Sequence, residues 1–136
     1  MADERLEVCR DVFVSWSAWD IERVLTLFDP ECEWAMSQGY ATLLPANSYA
    51  GHEGLRDVMG ELQSMFDSLN AEIVEARASG DELMLRASLS ARPRGSTVPV
   101  TAPPFAQVVE FRDGRISRIT QTDDVPVGWD YATPVS

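Results

Sequence analysis

The chain has 136 residues, a net charge of −11 and an apolar content of 45%. That suits one domain with a packed core and excludes a disordered chain. The acidic balance argues against nucleic acid, whose phosphates need clustered Lys and Arg, and against an anionic membrane surface.

No stretch approaches the ~20 apolar residues of a membrane span, and the charged start MADERLEVCR lacks an apolar signal core. The expected location is the cytoplasm. Cys9 and Cys32 are expected as buried thiols rather than a disulfide, as is usual in a reducing compartment. With one histidine, no HxxxH or CxxC spacing, no GxGxxG and no Walker loop, neither a metal nor a cofactor is expected.

Residues 4–18 carry Leu6, Cys9, Val12, Phe13 and Trp16 at spacings of three and four, the mark of one apolar helical face. Asp20 suits the cap of a short second helix, IERVLTLF, which stops at Asp29-Pro30. In ECEWAMS the alternation puts Cys32, Trp34 and Met36 on one side of a strand. A long polar loop over residues 37–51 follows, flanked by Tyr40 and Tyr49, which are expected as partly buried surface residues, with hydrogen-bond donation from a lid as the alternative. His52, the single histidine, reads as an exposed first-turn residue of the next helix. That helix aligns Leu55, Val58, Met59, Leu62, Met65, Phe66 and Leu69 on one face.

Strands come next. AEIVEARAS and ELMLRASLSA flank a Gly80-Asp81 turn, and a break at residues 92–96 precedes a hairpin, FAQVVEFRDGRISRITQTDD, around Asp113-Gly114. In that hairpin Gln107 follows Phe105 and Gln121 follows Ile119 on the same side as apolar residues. The tail 125–136 reads as irregular. The expected fold is α+β: a curved antiparallel sheet wrapped around a long helix, one domain over 1–136 with its core in 6–124.

WSAWDIERVLTLFDPECEW, YAGHEGLRDVMGEL and FAQVVEFRDGRISRI together resemble the SnoaL-like branch of the nuclear-transport-factor-two-like superfamily. Ketosteroid isomerases, limonene epoxide hydrolases and polyketide cyclases are relatives in that group. The resemblance implies a cystatin-like cone, open at one end, with an apolar pocket inside. It also implies a homodimer through the outer sheet face, where Met84, Arg86, Ser88 and Ser90 lie opposite Leu83, Leu85, Ala87 and Leu89. Laid on this chain, the isomerase base falls on Met36, its oxyanion tyrosine on Val12 and its second donor on Gln107. The last-strand acid of the hydrolases falls on Gln121. None of these residues supplies the required acid–base chemistry near neutral pH.

The expected site is therefore a pocket for a small apolar molecule bearing a carbonyl, hydroxyl or epoxide. Trp16, Trp34, Met36, Tyr49, Met59, Phe105, Gln107 and Gln121 are its candidate ligand-binding residues. Asp123 shares the side of Ile119 and Gln121 if the strand stays regular, which makes it the candidate base of an alternative isomerase, cyclase or hydratase. A third alternative is a dimeric interaction domain whose cavity is filled by side chains.

Overall fold

A computed structural model of the chain describes residues 3–36, 48–123 and 125–136. Helix α1 (Glu4–Ser17) starts at Asp3, whose side chain accepts from the Arg5 backbone N–H, and Glu4 and Glu7 complement the dipole of the first turn. The Arg5 guanidinium beside Asp3 holds that carboxyl below its usual range. As the spacing implied, α1 buries Leu6, Cys9, Val12, Phe13 and Trp16. Asp20 caps α2 (Ile21–Leu27) by accepting from the Arg23 N–H. The chain then extends at Phe28 into β1 (Phe28–Met36).

Strand β2 (Ser48–Ala50) leads into α3 (Gly51–Met65), followed by β3 (Phe66–Ser79), β4 (Glu82–Pro93), β5 (Val100–Arg112) and β6 (Arg115–Thr122). A short 3-10 turn (Trp129–Tyr131) and β7 (Thr133–Val135) end the chain. All seven strands form one sheet in the order β2-β1-β6-β5-β4-β3-β7. The pairings are antiparallel except β1 with β6, which is parallel. Register shifts in four of these pairings add local bend and twist, so the sheet curves around the helices. The α+β single-domain expectation holds.

The expected turn at Asp113-Gly114 joins Arg112 to Arg115, and both central residues have positive φ (53° and 79°), as a type I′ hairpin requires. The inner sheet face and the helices share one core, in which Val24, Phe28, Leu55, Val58, Leu83, Leu85, Val109 and Ile116 are fully buried. Cys9 and Cys32 lie in it as free thiols. Burial, with a smaller push from Asp3, drives the Cys9 thiol up to about 12, and burial raises Cys32 as well. Both are held as neutral thiols, which suits the apolar packing of α1 and β1.

Three expectations change. The apolar spacing across residues 55–69 implied one continuous helical face, but α3 ends at Met65. Phe66 (φ −130°, ψ 138°) and Leu69 instead pair with Pro93 and Ala91 in the sheet. The ladder with β4 outweighs the helical spacing, and both side chains still face the interior. Residues 48–50 of the expected loop form β2, because Trp34 and its neighbours offer β1 an open edge there.

The tail is also not irregular. Strand β7 pairs with β3, and Trp129 packs on Met84 with Ala132. Arg77 locks this arrangement: its guanidinium stacks 4.5 Å from the Trp129 ring centroid and donates to the Trp129 carbonyl at 2.7 Å. Met84, expected on the outer face through which a dimer would form, is therefore covered by the tail and only 4% exposed. The Asp3 N–H donates to the Ser136 carbonyl at 3.2 Å, which closes the two ends of the described chain on each other. No described helix is long and apolar enough to cross a membrane.

The tail clamp predicts a contrast between two neighbouring aromatics. Trp129→Ala should cost about 3 kcal/mol, whereas Tyr131→Ala, at an exposed position, should change stability by less than about 0.5 kcal/mol. Urea unfolding midpoints of the two variants check this.

Candidate functional site

The register of four strands builds the site. Met36 on β1 pairs with Gln121 on β6, Gln121 with Gln107 on β5, and Gln107 with Leu85 on β4. Side chains directly opposite in adjacent strands share a face and touch. The row thus runs thioether, amide, amide, isobutyl across the inner face of the sheet. Gln107 Nε2 donates to Gln121 Oε1 at 3.0 Å, and the two residues are only 5% and 6% exposed.

These amides open onto a cavity of about 250 Å³. One wall is aromatic: Trp16 from α1 meets Trp34 from β1 edge to face, with ring centroids 5.3 Å apart at 81°. Phe105 and Ile119 flank the amide row. Val58 and Leu62 of α3, and Phe66 and Leu69 of β3, line it from the other side, with Leu89 and Ala91 of β4. The start of β5, Val100 to Ala102, also lines it. Among the described residues, no side chain lining the cavity ionises near neutral pH; its lining residues carry polar groups in the two amides, the Thr101 hydroxyl and the Trp16 and Trp34 indoles, the Trp34 Nε1 being occluded.

Six of the expected residues come together here: Trp16, Trp34, Met36, Phe105, Gln107 and Gln121. Three do not. Met59 is 2% exposed and packs in the core behind the cavity wall. Tyr49 pairs with Trp34 across β1 and β2, half-buried against the core and off the lining. Asp123 is exposed in a second cleft with Arg86, Pro103 and Pro104, because β6 ends at Thr122 and the alternation lapses there. The expected base is thus placed outside the cavity. Tyr40 lies outside the described residues.

His52 is half-buried rather than exposed. Its Nε2 sits 3.1 Å from the Phe28 carbonyl, to which it donates, pinning the start of α3 to β1. Gly51 has φ +69° and a Cβ there would meet the Pro30 carbonyl at 3.2 Å, so this junction needs glycine.

Leu62, Phe66, Leu69, Leu89 and the stretch from Val100 to Ala102 were not expected in the lining. The alternation of β4 pointed at Leu89. The Val100 stretch was hidden by Pro103-Pro104, which masks how early β5 begins. Trp34 Nε1 and Tyr49 Oη are buried without a hydrogen-bond partner, the two such side-chain atoms among the described residues.

The SnoaL-like domain family matches residues 9–119. The chain belongs to that family. No curated protein matches the sequence significantly. Solved structures show the fold shared at low identity. TerC, co-crystallised with polyporic acid, has a TM-score of 0.77 at 18% identity, over 90% of this chain and 92% of its own. A ketosteroid isomerase-like protein from Catenulispora acidiphila, in complex with trimethylamine, has 0.72 at 17%, over 85% and 83%. An epoxide hydrolase of the LEH-like type from M. tuberculosis has 0.71 at 13%, over 89% and 83%. This SnoaL-like domain thus shares its fold, at low identity, with a protein of ketosteroid isomerase-like fold and with an LEH-like epoxide hydrolase.

The amide pair predicts an asymmetry. Gln107→Leu alone strands the Gln121 amide in the cavity wall and should cost about 1–3 kcal/mol, and Gln121→Leu likewise. The double substitution removes both partners and should cost less than the sum by at least about 1 kcal/mol. A double-mutant cycle by chemical unfolding measures the coupling.

Proposed function

We propose that this SnoaL-like domain is a pocket protein that binds a small apolar molecule carrying a carbonyl, hydroxyl or epoxide. The observation that carries the reading is the apolar cavity with a hydrogen-bonded Gln107–Gln121 pair in its wall. A concave apolar site with a few placed polar groups is the usual form of a small-molecule site. An amide orients a carbonyl or hydroxyl but does not act as a base near neutral pH. Asp123, the alternative base, opens onto a different cleft, so the reading favours binding over catalysis. The similar protein co-crystallised with polyporic acid and the similar epoxide hydrolase support a small organic ligand. The cytoplasm remains the proposed location, and a homodimer through the outer sheet face the proposed assembly.

Thermal shift against apolar ketones, epoxides, terpenoids and aromatic polyketides tests this. A ligand at about 100 times its dissociation constant adds about 2.7 kcal/mol of stability. The expected result is a clear upward shift with the ligand recovered unchanged, retained in Asp123→Asn. Product formation abolished by Asp123→Asn would contradict the reading.

A further inference from the structure

The two glutamines do not satisfy each other fully. One N–H···O bond between primary amides uses one donor and one acceptor. Here it leaves the Gln107 Oε1 at one end of the pair and the Gln121 amino group at the other. Neither atom is among the occluded unpaired atoms of the described residues, which are Trp34 Nε1 and Tyr49 Oη. Both residues line the cavity, and we place the residual acceptor and donor there. Strand register holds them side by side, between Met36 and Leu85, so they sit fixed in an otherwise apolar wall.

Charge and size narrow the occupant further. A charged ligand would enter a cavity where no described lining residue offers a counter-charge, at a large desolvation cost. An apolar cavity of about 150 Å³ accepts benzene, so about 250 Å³ leaves room for a second ring. An apolar ligand without polar groups would leave both amide ends unpaired, which is the costly outcome for buried polar groups.

We infer that the ligand is an uncharged molecule about two fused rings in size, carrying one hydrogen-bond donor that meets Gln107 Oε1 and one acceptor that meets the Gln121 amino group. This inference rests on the pocket reading above and specifies its ligand. It makes a hydroxy-ketone of a fused ring system the fitting class, ahead of a plain ketone, a plain alcohol or an acid. The amide pair discriminates by polarity pattern and the aromatic wall by shape.

The test is calorimetric titration, at neutral pH, of the full chain with five related probes: tetralin, tetralone, tetrahydronaphthol, hydroxytetralone and naphthoate. Hydroxytetralone should bind about tenfold tighter than tetralone or tetrahydronaphthol, and these tighter than tetralin, each step reflecting one amide end paired or left bare. Naphthoate should bind weakest. In Gln107→Leu/Gln121→Leu, with folding checked by its melt, the series should flatten while tetralin binding persists. If all the neutral probes bind equally, the polarity inference fails and the pocket reading stands. If naphthoate binds tightest, the neutral-ligand inference fails. If none of the probes binds, both this inference and the pocket reading are overturned.

Discussion

The strand register that sets Gln107 opposite Gln121 is the constraint on which the site depends. A slip of β6 by one residue against β5 would turn Gln121 to the outer face and leave Gln107 without its partner. The type I′ turn at Asp113-Gly114 sets Arg112 opposite Arg115 and Phe111 opposite Ile116, and a one-residue shift between Phe111 and Glu110 then brings Gln107 opposite Gln121. Outer-face charges reinforce the alignment. Arg118 stands across from Glu33 on one side and Glu110 on the other, at ion-pair distances of 3.8 and 3.9 Å. Such exposed pairs contribute little energy, but they penalise the wrong register.

The rest of the molecule supports this hairpin. α1 and α3 cover the inner face and supply the aromatic and aliphatic walls, Trp16 from the first and Leu62 from the second. Where core filling would be complete in a smaller pocket, the bend of the sheet leaves a void beside the amide row. On the opposite face the tail covers Met84 through Trp129, with Arg77 bridging ring and carbonyl. The inner face therefore carries the cavity proposed for recognition, while one end of the outer face is covered by residues 129–135.

Much of this was legible in the sequence because it follows period and turn chemistry. The buried face of α1, the alternation of β4 and the Asp-Gly hairpin each needed only local rules. The same alternation placed Gln107 and Gln121 among inward apolar neighbours, and six cavity residues followed. What was not legible depends on pairing between distant segments. The end of α3 at Met65 is set by the ladder that β4 offers Phe66 and Leu69, so a helical spacing was read across a helix-to-strand junction. β7 exists because β3 presents a free edge and Trp129 finds Met84, neither visible in a Pro- and Gly-containing tail. Asp123 missed the cavity because β6 ended one residue earlier than its alternation required.

In the proposed complex the neutral, hydrogen-bonded Gln107–Gln121 pair holds the ligand in the apolar cavity. The most direct measurement follows the side-chain NH₂ signals of Gln107 and Gln121 by ¹H–¹⁵N NMR, assigned through the single Leu variants, with and without hydroxytetralone. Slow solvent exchange of both amides is expected in the free protein, and large shifts of both on addition of the probe. Rapid exchange of both, with signals that the bound probe leaves unmoved, would contradict it.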